Sequence, residues 1–221
     1  MIGPYRATAK SNIRMNLLFD FGGVLVDLDK QRCIKAFEQI GFDVRPYIGT
    51  FAQAGILSAL ERGEVTLDEF CDRLRADSGL HHITNDQIIQ AWESYLVSVP
   101  ADRLDMLLRI GRHYPTYVLS NTNIVHWNMA RNGLFQYQGH DLPDFFRHAF
   151  LSYELGVEKP SAAIYKAVVE GIGCRPEEIL FFDDCEENCE AARACGLQAR
   201  LAPAGGEWLK YFTADGIYIP E

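Results

Sequence analysis

The stretch Leu17–Asp27, LLFDFGGVLVD, limits the possible folds of this chain more than any other. Residues Met15 to Phe19 are almost all apolar and too few for a helix. They predict a strand buried on both faces, as in a parallel sheet. At the end of that strand Asp20 meets two glycines, Gly22 and Gly23. Open α/β sheets hold their ligands at the carboxyl ends of parallel strands, so Asp20 stands where a site residue would stand. The glycines allow a sharp turn and a close backbone approach to a bound group. On this stretch alone, an ordinary strand-to-loop turn is the competing explanation.

The remainder supplies the context of an α/β fold. Beyond Asp29 the periodicity becomes helical: Ile34, Phe37 and Ile40 lie three apart and Gly41 follows as a stop. Thr66 with Glu69, and Thr84 with Gln87, have capping-box spacing and predict helices through Phe70–Leu74 and Ile88–Tyr95. No strand-like alternation interrupts this segment. Residues 30–112 therefore read as four helices followed by a return helix over Ala101 to Arg112, either an inserted module or extra helices of one domain. After His113, strands are expected at Thr116–Leu119, Ala149–Ser152, Ile179–Phe182 and Gln198–Leu201. Between them fall helices from the caps Asn121, Thr122 and Asn123 to about Arg131, over Ser161–Ile172, and over Glu187–Cys195. Alternating strands and helices predict an α/β fold with a Rossmann-like, doubly wound parallel sheet. The aromatic segment Phe135–His148 receives no assignment.

A net charge of −9 argues against nucleic acid or an anionic membrane as partner. An anionic substrate would need local positive charge, from a metal or a placed lysine. The six cysteines form no CxxC pair, and Cys185 and Cys189, at i, i+4 with no histidine cluster, read as packing rather than a zinc site. Reduced thiols fit a cytoplasmic protein. No run approaches the ~18 apolar residues of a membrane helix. The first fourteen residues are polar and mildly basic, which predicts an extension and no secretory signal. A monomer or weak homodimer is expected.

Three more stretches join the first: VLSNTN at Val118–Asn123, GVEKPSAAIY at Gly156–Tyr165, and ILFFDDCEENCEAARACG at Ile179–Gly196. In order and spacing the four resemble the motifs of the haloacid dehalogenase (HAD) superfamily of hydrolases, over Met15 to Leu201. The wording is most similar to the branch of glucose-1-phosphate phosphatase and the phosphatase domain of soluble epoxide hydrolase. The resemblance implies a core of residues 15–29 and 113–221 and a helical cap of residues 30–112. It implies that Asp20 is a nucleophile forming an aspartyl-phosphate, for which an ionised carboxylate needs no activating base. It also implies Mg²⁺ held by Asp20, the Gly22 carbonyl and Asp184, with Asp183 orienting the site; Mg²⁺ favours carboxylates, water and phosphate oxygens.

By the same resemblance Ser120 and Asn121 bind phosphate, together with exposed helix N–H groups. Lys159, its exit set by Pro160 in a first helical turn, neutralises the transferring charge. The substrate is expected to be a small phosphate ester, a sugar phosphate for preference. Arg62, in the turn Glu61-Arg62-Gly63-Glu64, is the candidate for reaching its far end, with a solvated turn arginine as the alternative. Asn188 stands where relatives often carry another acid, and His126 is expected on a helix surface. The main departure is Gly22, where most HAD phosphatases carry an aspartate that serves as general acid. That gap predicts faster turnover of sugar 1-phosphates than of 6-phosphates, because the anomeric oxygen leaves more easily. A non-catalytic phospholigand binder is the rival reading. A haloacid dehalogenase is less favoured, because that branch lacks the paired acids.

Overall fold

In the computed structural model, which describes residues 15–50 and 52–220, the first strand β1 (Asn16–Phe19) is completely surrounded. The extension expected over the first fourteen residues lies outside the described residues. Leu17 and Phe19 face one apolar layer, with Phe182 and Trp208, while Leu18 faces the other, with Phe181 and Tyr165. Two-sided burial of this kind needs cover on both faces of a parallel sheet, which explains why the strand reads as an unbroken apolar run.

The chain then enters a helical excursion. A short strand β2 (Asp27–Leu28) leads into α1 (Lys30–Gln39), α2 (Gly55–Glu61), α3 (Leu67–Ser78) and α4 (Asn85–Glu93), and β3 (Leu96–Ser98) leads out. Asp29 caps α1 by accepting from Arg32 N–H, and both expected capping boxes are formed, Thr66 with Glu69 and Thr84 with Gln87. The absence of strand in this segment is not observed. β2 and β3 pair antiparallel, Asp27 opposite Ser98, so entry and exit run side by side. Elements of two and three residues are too short to show alternation, which explains why the pattern conceals them.

α5 (Ala101–Ile110) returns to the sheet. Arg103 donates from Nη1 to the Leu25 carbonyl at 3.0 Å and pairs with Asp27 at 2.7 Å, fastening this helix beneath the start of the ribbon. The α/β rhythm continues with β4 (Thr116–Ser120), α6 (Ile124–Met129), α7 (Leu142–Phe145), β5 (His148–Leu151) and α8 (Ser152–Leu155). It closes with α9 (Ala162–Ile172), β6 (Ile179–Asp183), α10 (Glu186–Ala194) and β7 (Gln198–Leu201). The aromatic segment after α6 contributes Phe135, Phe145 and Phe146, whose rings pack against one another beside Phe21.

Five strands form a parallel sheet in the order β5-β4-β1-β6-β7, with β1 central between β4 and β6. The fold is the expected α/β, Rossmann-like sheet with helices around it. One apolar cluster runs without a break from the sheet layer through Phe21 and Trp127 into Phe37, Phe70 and Trp92 of the helical excursion.

Candidate active site

Register places the chemistry. Phe19 lies opposite Phe182 on one side and Val118 on the other, and Asp20 N–H donates to the Phe182 carbonyl at 2.8 Å. The carboxyl ends of β1, β4 and β6 therefore finish level, bringing Asp20, Ser120 and Asp183 together. Lys159 meets them from the segment before α9. Its Nζ donates to Asp20 Oδ1 at 2.5 Å and to Asp183 Oδ2 at 2.7 Å, and all three side chains are buried.

Pro160 does not place Lys159 in the expected way, since it precedes the N-cap Ser161 and lies outside α9. The work falls to Asn121. Its amide donates to the Lys159 carbonyl at 3.0 Å and its oxygen accepts from Lys159 N–H at 2.8 Å, a two-point clamp on that backbone. Asn121 is thus committed to Lys159, although it also lines the cavity with Ser120. Some of the N–H groups around the start of α6 are already engaged: Asn123 Oδ1 accepts from Val125 and His126 N–H, and Ser152 Oγ accepts from Thr122 N–H.

Asp183 is fully enclosed. Besides Lys159, its Oδ1 accepts from Cys185 N–H at 2.8 Å and Asn188 Nδ2 at 3.0 Å. Asp184 is less buried and faces the cavity. A Cβ on Gly23 would come 2.2 Å from Asp184 Oδ2, and φ there is +82°, so that position requires glycine. Gly22 is looser: a Cβ would meet only the tip of the Leu28 side chain, at 3.1 Å.

Ligand atoms of Asp20, Asp183 and Asp184 lie within 4.8 Å of one another. Burial pushes the Asp20 carboxyl up to about 8; Lys159 opposes the rise, and the charges of Asp183 and Asp184 add to it. Asp184 goes up to about 6, through burial first and then the Asp183 charge. Lys159 loses by burial but is held above its ordinary range by Asp183 and Asp20. Three clustered carboxylates against a single ammonium leave an excess of negative charge and an all-oxygen donor set. That is the chemistry a hard divalent cation satisfies, and Mg²⁺ fits it.

Above these strand ends lies a cavity roofed by the helical excursion, with Thr50, Gln53, Glu61, Tyr95 and His126 among its lining residues. The expected role of Arg62 is not supported by its position. Arg62 does not line the cavity; its guanidinium is engaged by Glu64, Glu158 and the Ser58 hydroxyl, while its neighbour Glu61 faces in. Helical residues diverge by about 100° per position, so the right turn does not give the right residue. His126 is buried rather than on a surface. Nε2 lies 3.0 Å from the Trp92 carbonyl, which only accepts, and Nδ1 lies 3.2 Å from Asn123 Nδ2, which only donates. The imidazole is therefore neutral with its proton on Nε2, and burial depresses its pKa to about 4.

The family model for haloacid dehalogenase-like hydrolases matches residues 15–196. D-ribitol-5-phosphate phosphatase of Bacteroides thetaiotaomicron is 32% identical over 199 residues, covering 90% of this chain and 96% of the relative. A HAD family enzyme of the same organism, in a crystal structure with magnesium and inorganic phosphate, superposes with a TM-score of 0.84 at 40% identity, covering 90% of this chain and 99% of that one. An L-2-haloacid dehalogenase at 20% identity, TM-score 0.59, covering 94% of this chain and 91% of its own, shares the fold alone. The chain belongs to the haloacid dehalogenase-like hydrolases. Within them it is a phosphatase with Mg²⁺ as its cofactor.

Proposed function

We propose that this enzyme hydrolyses a small sugar or polyol phosphate through an aspartyl-phosphate on Asp20. The observation that carries the reading is the buried Lys159 ammonium shared between Asp20 and Asp183 at the floor of a polar-lined cavity. A carboxylate oxygen of Asp20 attacks phosphorus, the P–O bond to the alcohol breaks, and water then cleaves the aspartyl-phosphate to release phosphate. Lys159 offsets the charge of nucleophile and phosphoryl group, and Ser120 offers its hydroxyl beside them. Mg²⁺ would be held by Asp20, Asp184 and the Gly22 carbonyl, with Asp183 orienting Lys159 and Asn188; when bound, it neutralises phosphoryl charge.

The roof favours a hydroxylated substrate. Thr50, Gln53 and Tyr95 present hydroxyl and amide groups, which pair with a carbohydrate chain better than with an apolar one. The similarity to an enzyme named for a pentitol phosphate supports the same class. The division into a core of 15–29 and 113–221 and a cap of 30–112 is retained as our proposal, with cap residues setting selectivity. Six free cysteines support a cytoplasmic setting.

A panel of sugar and polyol phosphates, assayed with Mg²⁺, tests the substrate class. Turnover confined to non-carbohydrate esters would overturn it. Asp20→Asn should abolish phosphate release, and persistent release would remove the covalent mechanism.

A further inference from the structure

Gly22 leaves the leaving oxygen without a proton donor on the core side. In-line displacement puts that oxygen on the far side of phosphorus from Asp20, towards the roof. Among the described residues lining the cavity, Glu61 is the one carboxyl outside the Asp20–Asp184 cluster. It ends α2 and is only 5% exposed. Its backbone is pinned to the core: the Ser152 hydroxyl donates to the Glu61 carbonyl at 2.6 Å. Two residues on, Gly63 turns with φ +65° so close to the Tyr153 carbonyl that a Cβ would come within 2.1 Å of it. The other proton donors above the strand ends are less suited. Both nitrogens of His126 are engaged, and burial pushes the Tyr95 phenol up to about 12.

We propose that Glu61, reaching in from the cap, is the catalytic acid that the chain lacks at Gly22. This rests on the phosphatase reading. In the first step the Glu61 carboxyl proton passes to the leaving oxygen as the P–O bond breaks and the Asp20–phosphorus bond forms. In the second, the Glu61 carboxylate takes a proton from the attacking water as the Asp20–phosphorus bond breaks, which restores the acid. The surroundings keep the proton in place. Burial raises the pKa of Glu61 well above the carboxylate range and the Glu158 charge adds to that, while the Asn123 amide and Arg62 pull the other way. Of the other groups facing it, Tyr95 is neutral and so is His126.

Glu61→Gln preserves size while removing the transferable proton. In a single turnover, alkoxide release from ribitol 5-phosphate or glucose 6-phosphate should slow by ~10² to 10⁴. The burst of nitrophenolate from 4-nitrophenyl phosphate should stay within about threefold of the unmodified protein, because that anion leaves without a proton; the burst also reports folded sites. Steady-state turnover of the aryl ester should fall, since water attack loses its base. Gly22→Asp, whose Cβ would meet only the Leu28 side chain, should restore alkyl turnover in the Glu61→Gln background. Equal slowing of both first turnovers, or a raised KM at unchanged kcat, would overturn the assignment and leave Glu61 as a structural or substrate-binding group. An unmodified protein that cleaves neither ester would overturn the phosphatase reading as well.

Discussion

Lys159 sits between two buried carboxylates, so its contribution is electrostatic and structural together. Lys159→Met should lower kcat by about a hundredfold, on the order of 3 kcal/mol of transition-state stabilisation. It should also lower the melting temperature, because removing one partner of a buried ion pair leaves uncompensated charge. Steady-state kinetics with thermal unfolding on the same preparation separates the two effects; an unchanged kcat would show that the ammonium takes no part in phosphoryl transfer. Asp20, Ser120 and the acidic pair are legible as motif letters because each ends a strand or directly follows one, whereas Gly22 and Lys159 lie in loops and are legible only through the wording of their motifs. The Asn121 clamp and the inward position of Glu61 are not legible there. Asn121 works through the backbone of a residue remote in sequence, and Glu61 faces inward only because of the rotation at which α2 meets the core.

The junction of α4 with α6 depends on a neutral imidazole. His126 has its ordinary pKa near 6.5 when unfolded and about 4 when folded, so between those values the unfolded chain binds more protons. Stability from this group is full above pH 6.5 and is lost as pH falls towards 4. The shift corresponds to about 3 kcal/mol as an upper figure. Urea unfolding at pH 7 and pH 5 should show the loss, and His126→Gln should reduce the pH dependence; an unchanged slope would assign it to the carboxylates. Helices announced themselves through caps and periodicity, as at Asp29, Thr66 and Thr84. What escaped were elements too short to repeat a pattern: the β2–β3 ribbon, α7 and α8. The burial of His126 depends on the carbonyl of Trp92, contributed by a helix from which two strands and a further helix separate it in the chain.

At the scale of the whole molecule, a net charge of −9 does not itself attract a phosphate ester, so recognition must be local. A cation bound only by the folded protein stabilises it by mass action, about 2.7 kcal/mol at a hundred times its Kd. Added Mg²⁺ should therefore raise the melting temperature, EDTA should reverse the rise, and Asp184→Asn should remove it. A melting temperature indifferent to Mg²⁺ would exclude tight binding at the carboxylate cluster.

The β2–β3 ribbon bears on how such a molecule can change. Because Asp27 and Ser98 are neighbours, the chain leaves the sheet and comes back at nearly one point. To the sheet, everything between them is a single closed loop, and the entropy of closing a loop grows only slowly with its length. The roof can therefore be lengthened, shortened or rewritten while Asp20, Ser120 and Asp183 stay in register. New substrates are open to this architecture without a new way of breaking the ester bond, provided the revised roof still brings a proton to the oxygen that leaves.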